Sequence, residues 1–127
     1  MQFRRTPRTR RVAHVAKPDP RDSAPTGVGN HTFMRLDHVS YAVSSSELVD
    51  TVQRLGQQLG GSFHDGGRHP RFGTRNFVLP LEGGTYVEVV AALDHPASDK
   101  APFGQAVRRR AEDGGGWMGW CVAVDDI

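Results

Sequence analysis

A single cysteine, Cys121, stands among 127 residues. One cysteine excludes an internal disulfide and a cysteine-rich zinc cage. Within an apolar strand pattern it reads as a small buried side chain, not as a nucleophile. Long hydrophobic runs are missing too: none approaches the ~20 residues that span a bilayer. No apolar core follows the N-terminal arginines, as a secretory signal requires. These absences point to a soluble, cytoplasmic protein with no membrane partner. The length allows one small domain.

The charge is unevenly spread. Residues 1–33 hold seven Lys or Arg and two acids, a balance of +5, whereas residues 34–127 hold nine Lys or Arg and twelve acids, a balance of −3. The basic pI therefore belongs to the first segment, and the remainder offers no nucleic-acid surface. Residues 1–33 are rich in Arg, Pro, Thr and Gly and poor in large apolar side chains. Such a segment cannot offset its chain entropy by burial, so a disordered basic tail is expected there. Pro7, Pro18 and Pro20 argue against the amphipathic helix of a transit peptide. The division expected is a tail over 1–33 and a folded domain over 34–127.

From Met34 onward the chain is periodic. Leu36–Val43 reads as a strand, with Leu36, His38, Ser40 and Ala42 on one face and Asp37, Val39, Tyr41 and Val43 on the other. Ser44 and Glu47 have the spacing of a capping box. Leu48, Val52, Leu55 and Leu59 follow as a helical stripe that Gly60 and Gly61 end. A short strand is expected near Ser62–His64, and Asp65–Arg75 reads as a loop from its Gly and Pro content. Asn76–Leu81 and Thr85–Ala92 form a hairpin across Glu82-Gly83-Gly84. A loop over Asp94–Pro102 leads to a helix over Phe103–Asp113. Trp117–Val124 is a last strand. Arg108, Arg109 and Arg110 read as a solvated face near a helix C-terminus, and Trp117 and Trp120 as sheet packing.

The predicted class is α+β, in the order strand, helix, three strands, linker helix, strand. LDHVSYAV at 36–43, GGRHPRFGTRN at 66–76 and TYVEVVAA at 85–92 carry a resemblance to the vicinal-oxygen-chelate superfamily, and within it to glyoxalase-like domains. The resemblance implies a βαβββ module. Cys121-Val122-Ala123-Val124 matches Ser40-Tyr41-Ala42-Val43 in pattern, so the last strand resembles the first strand of a second module. In the superfamily two modules pair around the site. The chain then reads as a truncated domain awaiting its second module, or as one completed in a homodimer. An unpaired last strand would be an exposed edge, which favours the fragment.

The resemblance also implies a divalent metal (Zn, Fe, Ni or Mn) held by a His on the first strand and a Glu on the fourth, here His38 and Glu88. The residues support this independently. Both lie mid-strand among apolar neighbours, where a carboxylate is costly unless a cation or donor meets it. A solvent-lined face, with Glu88 paired to Arg75, is the bland alternative. Gly119 falls where a second module would repeat His38, so one expected ligand is missing. The loop before the hairpin supplies His69, Thr74, Arg75 and Asn76 as candidate groups for a small-molecule ligand. The function classes left open are a metal-dependent lyase, isomerase or dioxygenase acting on vicinal oxygens, a metal-free or drug-sequestering binder, and an inactive fragment.

Overall fold

The computed structural model describes the backbone of residues 12–15 and all of residues 34–124. Four strands and one helix make the module. They are β2 (Met34–Ala42), α1 (Leu48–Leu59), β3 (His64–His69), β4 (Thr74–Pro80) and β5 (Tyr86–Ala92). Two helices, α2 (Pro96–Lys100) and α3 (Pro102–Glu112), lead to β6 (Gly116–Val124). An earlier strand, β1 (Val12–Val15), joins the same sheet, whose order is β1-β6-β2-β5-β4-β3. The α+β class and the βαβββ order expected from the sequence are those observed. Of the tail expected over 1–33, only Val12–Val15 falls within the described residues, and it is a strand. Among the described residues no helix is long and apolar enough to cross a membrane.

Period-2 alternation on β5 explains why the sheet is covered on both faces. Val89 and Ala91 point to α1, where they join Val43, Leu48 and Leu55, with Tyr41, Val52, Phe63 and Phe77 around them. Val90 points the other way, to Ala42 and to Val107 of α3, with Ala92, Phe103 and Met118 alongside. A strand covered on both faces is buried without a break, as Val87–Ala91 is. Each fully buried Val or Leu here contributes about 1.5–3 kcal/mol. Glu88 is the polar residue within that stretch, on the face shared with α3.

Several boundaries differ from expectation for local reasons. The capping box does not form: Ser44 Oγ meets Ser46 Oγ, and Ser45 Oγ donates to the Ala92 carbonyl. A short 3-10 turn over Ser45–Glu47 enters the helix instead. Helix α1 does end as expected, with Gly60 in the left-handed region at φ 70°. The segment expected as a loop over Asp65–Arg75 is mostly strand. Gly66 and Gly67 sit at a β-bulge that begins at Asp65, and Asp65 Oδ1 accepts from the Gly67 N–H at 2.8 Å. That amide holds the Asp65 carboxyl below the usual range. The loop over Asp94–Pro102 contains helix α2, capped by His95 Nδ1, which accepts from the Ala97 N–H. Arg108 is not merely solvated. It donates to Ser98 Oγ and pairs with Asp99 at 2.9 Å, tying α3 to α2.

The last strand enters the sheet between two neighbours. β6 pairs antiparallel with β2 on one side and with β1 on the other. The bare edge expected for it is therefore absent.

Candidate functional site

His38, Ser40 and Ala42 alternate along β2, and Tyr86, Glu88 and Val90 along the parallel strand β5 beside it. Ala42 and Val90 lie under α3. Toward the other end of these strands, beyond α3's reach, the same face carries His38, Ser40, Tyr86 and Glu88. β4 adds Thr74 and Asn76 to this face. A cavity of about 450 Å³ opens there, lined by His38, His69, Thr74, Asn76, Tyr86 and Glu88, with Phe72, Pro102 and Phe103 as an apolar wall. Phe72 and Phe103 meet edge to face at 5.5 Å.

Every oxygen of Glu88 is engaged. Ser40 Oγ donates to Oε2 at 2.6 Å, and Asn76 Nδ2 donates to Oε1 at 2.7 Å. Asn76 Oδ1 in turn meets His69 Nε2 at 3.0 Å. The carboxylate is thus fixed in place by donors on two neighbouring strands, which meets the cost of its burial. His38 is held equally firmly. Its ring stacks on Tyr86 with centroids 4.7 Å apart and planes 12° apart. Asp37 Oδ2 lies 2.9 Å from Nδ1. Nε2 then points to Glu88 Oε2, 3.7 Å away.

Asp37 is the residue beside the candidate site that strict alternation misses. It should lie on the opposite face from His38. A register shift between Leu36 and His38 breaks the alternation at that point, and Asp37 is buried at 2 % exposure beside the imidazole. The only trace in the sequence is an acid adjacent to a histidine in a strand. The apolar wall was also missed, although Phe72 stands inside the loop already under suspicion.

Of the residues expected at the site, His38, Glu88, His69, Thr74 and Asn76 line one cavity. Arg75 does not. Alternation along β4 sends it to the other face, where it pairs with Asp65 at 3.2 Å and lies 5.2 Å from the centre of the Phe77 ring. The alternative pairing of Arg75 with Glu88 is excluded for the same reason. Thr74 is 1 % exposed, and its hydroxyl has no hydrogen-bond partner among the described residues. A buried hydroxyl without a partner costs about 1–3 kcal/mol.

Cys121 stands opposite His38 on β6 and is 1 % exposed. Burial, with the Glu88 and Asp37 carboxylates nearby, pushes its thiol up to about 11. It is inert at neutral pH, as expected of a structural thiol. Among the described residues no three or more His, Cys, Asp or Glu side chains are grouped to hold a metal ion. His38 and Glu88 fit part of a coordination shell: an imidazole nitrogen backed by a carboxylate, facing a fixed carboxylate oxygen.

The cavity thus lies on the open face of a βαβββ sheet in an α+β domain, beside the part of that face covered by α3. The chain belongs to the family described as the glyoxalase-like domain, whose profile matches residues 36–127. No curated protein matches it. Among solved structures it is similar to a hypothetical protein, BH1468, from Bacillus halodurans C-125, at 21% identity and a TM-score of 0.45. That match covers 66% of this chain and 54% of the other, so the chain spans little more than half of that protein's length.

Proposed function

We propose that the domain binds a small molecule through two adjacent oxygens, with a divalent cation held by His38 and Glu88 at the polar end of the cavity. The 3.7 Å approach of His38 Nε2 to Glu88 Oε2 carries this reading. In the tautomer whose Nδ1 hydrogen is directed at Asp37 Oδ2, Nε2 offers a lone pair. Two acceptors then face each other, buried and too far apart for a hydrogen bond. A cation between them, or a shared proton, reconciles the pair. Imidazole and carboxylate together suit zinc, iron, nickel or manganese.

When bound, such a cation supplies Lewis-acid polarisation of ligand oxygens. The chain's own residues do the rest. Asp37 and Tyr86 orient the His38 ring, and Ser40 and Asn76 fix the Glu88 carboxylate. Thr74 offers its free hydroxyl to a ligand oxygen. Phe72, Pro102 and Phe103 pack the ligand's apolar part and keep water out.

A second reading is a metal-free binder, in which His38 and Glu88 only line the cavity. The unpartnered Thr74 hydroxyl and the aromatic wall favour it, since neither needs a cation. Calorimetric titration with acetohydroxamate, which presents two adjacent oxygens, separates the two. The cation reading expects binding with Zn²⁺ present and none after chelation. Equal binding in both conditions, lost in Thr74→Val, would establish the metal-free reading instead.

A further inference from the structure

Two polar side chains of the cavity stand away from its His38–Glu88 end. His69 closes β3, Thr74 opens β4, and the two are in direct register. Residues opposite each other in an antiparallel pair share a face, with Cβ atoms about 5 Å apart. Both line the cavity. Thr74 is 1 % exposed, and its hydroxyl has no hydrogen-bond partner among the described residues.

The hydrogen-bond chain from Glu88 fixes what His69 offers. Asn76 Nδ2 donates to Glu88 Oε1, which turns the amide oxygen toward His69. An amide oxygen only accepts, so Nε2 of His69 carries the hydrogen. In the neutral ring Nδ1 is then an acceptor, and it has no hydrogen-bond partner among the described residues. The pair presents a hydroxyl hydrogen and, beside it, a lone pair. The smallest group that answers both is a hydroxyl, whose oxygen accepts and whose hydrogen donates. Arg68 and Arg75 face each other on the other side of the same strand pair. Neither therefore brings a positive charge here to hold a carboxylate.

This end is also fixed before a ligand arrives. The Phe72 and Gly73 amides both donate to the His69 carbonyl, at 3.0 and 2.9 Å. Gly73 lies at φ 65° against the backbone of Ser98 in α2, where a Cβ would collide. Phe72 of the same turn and Phe103 supply the apolar wall. Thr74 is in register with Ala92, four residues beyond Glu88 on β5. The two ends of the cavity thus stand about 13 Å apart along the strands.

We propose that His69 and Thr74 form a second recognition point, which takes a hydroxyl group at the far end of a flat ligand. Thr74 Oγ1 donates to the hydroxyl oxygen, and the hydroxyl hydrogen goes to His69 Nδ1. The proposal rests on the reading of this cavity as a small-molecule site, with or without the cation at its other end.

The test is calorimetric titration of the full chain, with Zn²⁺ present and after chelation. Four probes are compared: benzohydroxamate and its para-hydroxy, para-methoxy and para-carboxy derivatives. The quantity read is the ratio of two affinities within one protein, so a general loosening of the cavity cancels. In wild type the para-hydroxy probe should bind at least about tenfold more tightly than benzohydroxamate, and the para-methoxy probe no more tightly. That ratio should persist in Thr74→Ser, which keeps the hydroxyl, and fall toward one in Thr74→Val and in His69→Phe. A ratio near one in wild type, or a wild-type ratio in either Thr74→Val or His69→Phe, would overturn the proposal. Tighter binding of the para-carboxy probe than of the para-hydroxy probe would overturn it too, and would make the pair two donors for a carboxylate. If none of the four binds in either condition, the reading of the cavity as a small-molecule site falls with it.

Discussion

Thr74 places a hydroxyl in the cavity wall with no hydrogen-bond partner among the described residues. Replacing Thr74 with Val removes an unsatisfied polar atom and keeps the shape. The ligand-free protein should then gain about 1 kcal/mol in urea unfolding, while affinity for a two-oxygen ligand falls. A loss of more than about 1 kcal/mol would mean the hydroxyl has a partner in the folded state. Cys121 yields a prediction in pH. Its thiol ordinarily ionises near 9.0 and is raised to about 11 in the fold. Between those values the unfolded chain loses a proton that the folded chain keeps, so stability falls as pH rises. Below pH 9 the thiol contributes no pH dependence. Unfolding measured from pH 8 to 11 should show the decline, and Cys121→Ala should flatten it; an identical slope in the variant contradicts the assignment. At this scale the sequence was informative where one side chain sat in an improbable place. His38 and Glu88 stood out because imidazole and carboxylate are costly among β-branched neighbours. Asp37 was misplaced because a bulge shifts alternation by one, and no composition signal marks a bulge. Arg75 was misplaced because its loop was in fact strand, and a strand imposes a face.

Helix α3 and the turn before β4 meet at Gly104. A methyl group there would collide with the Phe72 carbonyl oxygen and stand 2.8 Å from Ser98 Cα. Helix propensity alone favours Ala over Gly by about 1 kcal/mol. The clash is with backbone, which cannot swing aside, so Gly104→Ala should instead destabilise by about 2 kcal/mol or more. It should also loosen the Phe72–Phe103 wall and weaken ligand binding. Thermal melting gives the sign directly; a higher melting temperature in the variant contradicts the close packing. The elements themselves were legible from periodicity. The 3.6-residue stripe gave α1, and the β-branched run gave β5. β3 was legible only as a short strand near Ser62–His64, ahead of its observed span of His64–His69, since its glycines and its exposed position are the marks of a loop and pairing with β4 makes it a strand. Helix α2 was hidden for a similar reason. Its five residues are too short for a stripe; His95 caps it locally, and Arg108, ten residues beyond Ser98, ties it to α3.

Over the whole molecule, the cavity exists because three things coincide. β2, β4 and β5 bring His38, Thr74, Asn76 and Glu88 to one face, α3 covers only part of that face, and the turn before β4 closes the side with Phe72. The sequence could supply the order of elements from β2 to β6 along the chain, because that is written in local patterns. The enclosure by Phe72, Pro102 and Phe103 lies in none of those patterns and appears only on assembly. The claim on which the rest depends is that His38 Nε2 and Glu88 share one ligand at that place. Long-range ¹H–¹⁵N spectra of the histidine side chains during Zn²⁺ addition test it most directly. The account predicts that His38 Nε2 shifts as a metal-bound nitrogen while Nδ1 keeps its proton toward Asp37, with the midpoint at least about tenfold weaker in Glu88→Gln. An Nε2 resonance of His38 that stays unmoved at saturating Zn²⁺, or moves identically in Glu88→Gln, would contradict it.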